Sequence, residues 1–344
     1  MLRLFTIAAT LLASLCCSAQ GLTVTSWGGV YQHAQRRAYA DAFTRSTGRA
    51  VLIEQWGGDI ARIEAMLVRN HYTSNLFDAE GEIVAQGCRL GILEPIDYQN
   101  LGIPENQLIP GADMPCGVAH TSWSMMLVYD RRRFATPPEN WADFWDVQRY
   151  PGRRGLSRDA TPNLEIALLA AGVPTAEVYA RMSTSEGIDL AFSQLDAIAE
   201  HVYWWRAGRE AAQRIVDAEL SMGSVWHGRA LQLLDEAPKT LGLQWNQQIL
   251  HFDYWVIPKG HSGKRHAYDF IRFSLGPGPQ AEFTRYLEYG PTRLTALALI
   301  KPSVLERLPT ADQNRPGSLV HDPEFWDNHG QHLTERFERW LSHH

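Results

Sequence analysis

Apolar residues in this chain gather into short, nearly unbroken runs separated by stretches of helical spacing. Leu22-Thr23-Val24-Thr25-Ser26 reads as a strand that passes through a Trp27-Gly28-Gly29 turn into a helix. On that helix Val30, Ala34, Ala38 and Ala42 recur, Tyr39 and Phe43 widen the stripe, and Gly48 stands where a C-cap is needed. Val51-Leu52-Ile53 forms a second short buried strand, and Ile60, Ile63, Met66 and Leu67 mark a second helix. Leu76-Phe77 opens a third strand, which ends in the acids Asp78, Glu80 and Glu82. This alternation predicts a parallel α/β sheet with helical crossovers, the class in which ligands bind beyond the carboxyl ends of the strands.

The second half of the chain repeats the theme with longer pieces. Residues 118 to 129 are almost all β-favouring, which suits a strand leaving one lobe for another. Helices are predicted over residues 163 to 171 and 190 to 202, the latter followed by Tyr203-Trp204-Trp205. Met222-Gly223-Ser224-Val225-Trp226-His227-Gly228 is a strand and turn like the first. A strand over residues 252 to 258 should return to the first lobe, a helix covers 267 to 275, and Tyr289-Gly290-Pro291-Thr292 makes a turn. From His321 onward the tail reads as a helix with Phe337 and Trp340 packed. With 344 residues the chain passes the size at which a single core stops growing, so two lobes are expected. No repeat or flexible linker interrupts them.

Residues 1–19 have the form of a cleavable signal peptide: Arg3, an apolar run over residues 4 to 15, and the small-residue site Cys17-Ser18-Ala19. Export follows from it. Lipidation at Cys16 or Cys17 is the alternative, but Leu15 and Cys16 occupy slots where small residues are normal. The balance of 32 basic against 38 acidic residues, a net charge of −6, argues against a nucleic-acid partner. Two of the 4 cysteines lie in the leader, leaving Cys88 and Cys116. In an oxidising compartment such a pair predicts a disulfide; two buried thiols or a metal pair are the alternatives.

No nucleophile motif, phosphate loop or dinucleotide fingerprint is present, since Gly28-Gly29 lacks the required glycine spacing. No cofactor is expected. His329 and His332 read as exposed, and no metal site is expected. What recurs is an aromatic or an acid at the end of a strand. Trp27, Trp226 and Tyr289 are candidate walls, Glu80 and Asp253 candidate anchors, and Tyr31 joins them from the first helix. An aromatic face attracts an ammonium, and a carboxylate gives it a charge-assisted hydrogen bond. The competing reading assigns these residues to packing, because most of 12 tryptophans must pack. For Asp253 the competitor is an internal salt bridge. Trp204-Trp205 are assigned to the core.

Taken in order, the Trp27 turn, residues 141 to 156, residues 222 to 228, the Asp253 strand and the Tyr289–Thr292 turn carry a resemblance. The chain resembles the periplasmic solute-binding proteins of ABC importers, in particular the spermidine/putrescine-binding branch, whose relatives bind γ-aminobutyrate and related amines. The resemblance implies a type II periplasmic binding protein fold: two α/β lobes, each a mixed sheet flanked by helices, joined by two crossing strands at a hinge. Lobe 1 would hold residues 20–128 and 253–300, lobe 2 residues 129–252 and 301–344. Trp27 and Trp226 would be walls from opposite lobes, Asp253 would hold an amine, and Tyr289 would line the cleft.

The same resemblance marks departures. His251 falls where polyamine binders place another aromatic, and Pro162 where they place a second acid, with Asp159 nearby. Glu80 replaces a neutral hydroxyl. A diamine or polyamine such as putrescine or spermidine is the first expectation, and it would need Asp253 with Glu80 or Asp159; a zwitterion is the alternative. A zwitterion such as γ-aminobutyrate would need Arg158, Arg206 or the helix N-terminus after Gly29. Other cations such as thiamine or choline-like compounds rank third. The expected partner is an inner-membrane ABC permease, served by a monomer. An exported hydrolase and a sensor without transport are the rivals from other classes.

Overall fold

The computed structural model describes residues 21–344, so the signal peptide expectation lies outside the described residues. Strands are β1 Leu22–Ser26, β2 Val51–Gln55, β3 Leu76–Glu80, β4 Asp113–Met114 and β5 Gly117–Asp130. They continue with β6 Arg154–Ser157, β7 Val202–Trp205, β8 Met222–Trp226, β9 Leu241–Val256 and β10 Leu319–Val320. The spatial order is β2-β1-β3-β9-β5-β8-β6-β7, with β4 on β5 and β10 on β9.

The pattern is symmetric about the two long strands. On one side β2, β1 and β3 run parallel and β9 joins β3 antiparallel; on the other, β7, β6 and β8 run parallel and β5 joins β8 antiparallel. β5 and β9 pair with each other along nearly their whole length. Each therefore begins in one lobe and ends in the other. Two apolar cores form around the two halves of the sheet. One gathers Val24, Tyr39, Phe43, Phe77, Trp255 and Phe283. The other gathers Met126, Trp141, Phe144, Leu164, Trp205 and Phe337.

Several boundaries differ from the sequence reading. β9 starts at Leu241, well before residue 252, because the polar run Gln244 to Gln248 hides the strand. Several of those polar side chains take distant partners: Gln248 Nε2 donates to the carbonyls of Pro309 and Asn314, both at 2.9 Å. The helix expected over 190 to 202 is Ser185–Ile198, capped by Thr184, whose side chain accepts from the Gly187 N–H. Val202–Trp205 is a strand instead.

The tail helix, Pro323–Leu341, packs Phe325, Leu333 and Phe337 into the second core. Its first turns also touch the first lobe, where Arg89 makes a two-pronged ion pair with Asp327 at 2.7 and 3.0 Å. Cys88 and Cys116 are joined by a disulfide, which removes the thiol and metal-pair alternatives. The bond ties the end of helix Gly81–Arg89 to the start of β5.

Candidate functional site

β1 ends at Ser26, and the chain turns through Gly28 and Gly29, at φ 86° and 59°. Only glycine takes these angles freely, and a Cβ on Gly28 would lie 2.5 Å from the Gln55 side chain. The turn holds the Trp27 indole against Trp56, with ring centroids 5.6 Å apart. Across the cleft, β8 delivers Trp226, which is 39% exposed despite its size. Its ring stands edge-on to Trp205 and Trp123. Gly208 makes room for it, since a Cβ there would come within 2.2 Å of the indole.

Six of the seven residues picked from the sequence converge. Trp27, Tyr31, Glu80, Trp226, Asp253 and Tyr289 line one cavity of about 280 Å³, together with Trp123 and His227. Asp159, the seventh, lines an adjoining cavity of about 370 Å³ that shares Glu80, Trp123 and Trp226 with the first. Arg158 lines this second cavity and Arg206 lines neither. Trp205, assigned to the core, is indeed buried there, yet it also forms part of the second cavity's wall.

The cleft is strongly acidic. Asp253 is 4% exposed and accepts from the Tyr31 hydroxyl at 3.1 Å, with no cationic side chain paired to it among the described residues. Burial, then the charges of Asp78 and Glu80, push its carboxyl well above the usual range. Glu80 is reached by solvent at the cleft mouth, but the surrounding protein, Glu82 and Asp78 still raise it to about 7, against a lowering by His321.

Behind them lies Asp78, fully buried. Gln35 Nε2 donates to it at 2.5 Å and Ser26 Oγ at 3.4 Å. His120 Nε2 is 3.2 Å from its other oxygen, close enough for attraction but out of hydrogen-bond alignment. Three carboxylates thus crowd one strand junction.

His227 contributes shape rather than charge. The Ser124 N–H donates to its Nδ1 at 3.1 Å, so the proton sits on Nε2, which donates to the Glu288 carbonyl at 2.9 Å. Burial lowers its pKa to about 4, leaving a neutral ring beside Tyr289. Sequence reasoning did not select Trp123 or His227. Trp123 lies mid-strand, where nothing local says which face opens onto a cleft, and His227 differs from an exposed histidine only through its distant partners.

Such a box of indoles, phenols and unpaired carboxylates binds a cationic nitrogen and offers it alkyl-compatible walls. Comparison with known proteins agrees with a binding role. The family model described as bacterial extracellular solute-binding protein matches residues 38–310. The gamma-aminobutyric acid-binding protein of Pseudomonas aeruginosa is 36% identical over 324 residues, covering 94% of this chain and 92% of that protein. The solved Atu4243–GABA receptor superposes with a TM-score of 0.81 at 31% identity, covering 94% and 98% of the two chains. The spermidine/putrescine-binding protein PotD of Streptococcus pneumoniae has a TM-score of 0.73 over 94% and 99% of the chains, but at 18% identity the likeness is one of fold alone. The chain belongs to the bacterial extracellular solute-binding proteins, which capture solutes for ABC importers rather than transform them.

Proposed function

We propose that this protein is a periplasmic receptor for a short ω-amino acid of the γ-aminobutyrate class, handed on to an inner-membrane permease. The observation that carries this reading is Asp253, a buried carboxylate without a cationic partner, walled by Trp27, Trp226 and Tyr289. A ligand ammonium there would supply the missing counter-charge, and each aromatic contact would add roughly 0.5–2 kcal/mol. Closure of the two lobes about β5 and β9 would bring Trp27 and Trp226 onto the solute from opposite sides.

The other end of an ω-amino acid needs a cation. Two guanidiniums on the second lobe stand near: Arg158 in the wall of the adjoining cavity, and Arg229, whose charge reaches the Tyr289 phenol. Tyr289 feels Asp253 as well, so Arg229 and Asp253 act on the same ring with opposite sign. The two relatives named for γ-aminobutyrate support this choice over polyamines. The diamine, first in the reading of the sequence, becomes the second reading here; Glu80 and Asp159 would supply its further anionic end.

Isothermal titration of refolded, ligand-free protein with γ-aminobutyrate, putrescine and spermidine decides between them. Micromolar or tighter binding of γ-aminobutyrate, abolished by Arg229→Gln or Arg158→Gln, supports the proposal. Binding of the diamines alone replaces it with the second reading, and binding of none overturns both.

A further inference from the structure

A column of stacked rings runs from the cleft into the hinge. Trp123 on β5 and His251 on β9 are partners in the strand register, and their rings stack at 4.1 Å with an interplanar angle of 5°. His321, just after β10, stacks on the other side of His251 at 4.3 Å and 26°. His321 Nε2 in turn meets Glu82 of helix Gly81–Arg89 at 2.7 Å. Four groups from four segments therefore form one continuous pile; all four line the larger cavity, and the Trp123 indole alone lines both.

We propose that His251 is a positioning residue for solute binding: clamped by the Glu82–His321 pair, it fixes the Trp123 indole as the wall shared by the two cavities. The inference rests on the cleft being the solute site, whichever amine occupies it. One face of the Trp123 indole is covered by the His251 ring, so removing that ring leaves that face of the wall unsupported.

The charges around the column keep His251 suited to this task. His321 faces Glu82 from the first lobe, Glu165 from helix Ala160–Ala170, its neighbour Asp322, and His251 from β9. Although burial opposes a charge on His321, those acids outweigh it and raise its pKa. Against its own burial, Glu82 is drawn down to about 2 by His321, with a smaller contribution from His251. His251 is lowered well below its ordinary value, by burial and then by His321. The imidazole that the acids favour in its charged form thus sits one ring away from the wall, paired to Glu82. The His251 imidazole, favoured in its neutral form, lies against Trp123, where an imidazolium would repel a bound ammonium.

The test uses His251→Ala, His251→Phe, Trp123→Ala and the double variant Trp123→Ala/His251→Ala, read by near-ultraviolet circular dichroism without ligand and by solute titration. His251→Ala should change the indole bands and weaken affinity by about tenfold, equivalent to about 1.4 kcal/mol. His251→Phe, which keeps a planar ring, should restore both. In the Trp123→Ala background, His251→Ala should cost no further affinity, as expected when one residue acts through the other. The proposal is overturned if His251→Phe is as weak as His251→Ala, or if the loss persists undiminished without Trp123. Unchanged indole bands in ligand-free His251→Ala would overturn it even if the solute assignment were wrong.

Discussion

Glu80 and Asp253 occupy the same register position of the antiparallel β3–β9 pair, so two carboxylates face each other across one strand junction. Like charges directly opposite in a sheet oppose its pairing. Here Asp78 lies two residues back on the same strand and adds to the field. The mutual repulsion thus raises the carboxyls out of their ordinary range ahead of ligand, and a bound cation relieves it by favouring their ionised forms.

That arrangement gives solute affinity a direction with pH. Glu80 is raised to about 7, so it is largely protonated at pH 6 and largely ionised at pH 8. Asp253, also raised, acts with the same sign. A primary amine stays charged across the range, because its unperturbed pKa is near that of lysine, about 10.4. Affinity should therefore rise between pH 6 and 8, and Glu80→Gln should flatten the rise. Titration calorimetry across this range checks it; affinity that falls with pH contradicts the assignment of Glu80 to the ammonium cavity.

Trp226→Ala separates ligand wall from core. The ring is 39% exposed and projects from the end of β8 into both cavities. Its removal should weaken solute binding by about tenfold or more while the thermal midpoint moves only a few degrees, since little core packing is lost. A large fall in the midpoint would assign Trp226 to the fold.

The Cys88–Cys116 bond closes a loop with a sequence separation of 28. On the chain-entropy model this restricts the unfolded state by about 3–4 kcal/mol. Replacing both cysteines with serine should lower the unfolding free energy in denaturant titrations by about that amount. An unchanged midpoint would show that the loop was already constrained in the unfolded chain.

How much of this was legible in the sequence depended on whether a local signal existed. Trp27 between a strand and two glycines, and Asp253 in an apolar run, announced themselves because such residues are out of place unless something outside the strand needs them. The long strand β5 was visible from its β-favouring composition. The start of β9 was not, since Gln247 sits at φ 60° and the polar side chains there take distant partners, as where the Trp141 backbone N–H donates to Gln247 Oε1 at 3.0 Å. Arg158 and Arg206 looked equivalent in the sequence, and only tertiary folding brings the first to the cleft. The ring column behind Trp123 joins positions far apart in the chain, which no spacing rule connects.

The central claim is that a cationic nitrogen is held at Asp253 between indoles from two lobes. Titration of γ-aminobutyrate into wild-type protein and into Asp253→Asn tests it most directly. The account predicts saturable one-to-one binding by the wild type and at least a hundredfold weaker binding, about 2.7 kcal/mol, by the variant, with both proteins folded alike by circular dichroism. Equal affinity in the two proteins would contradict it.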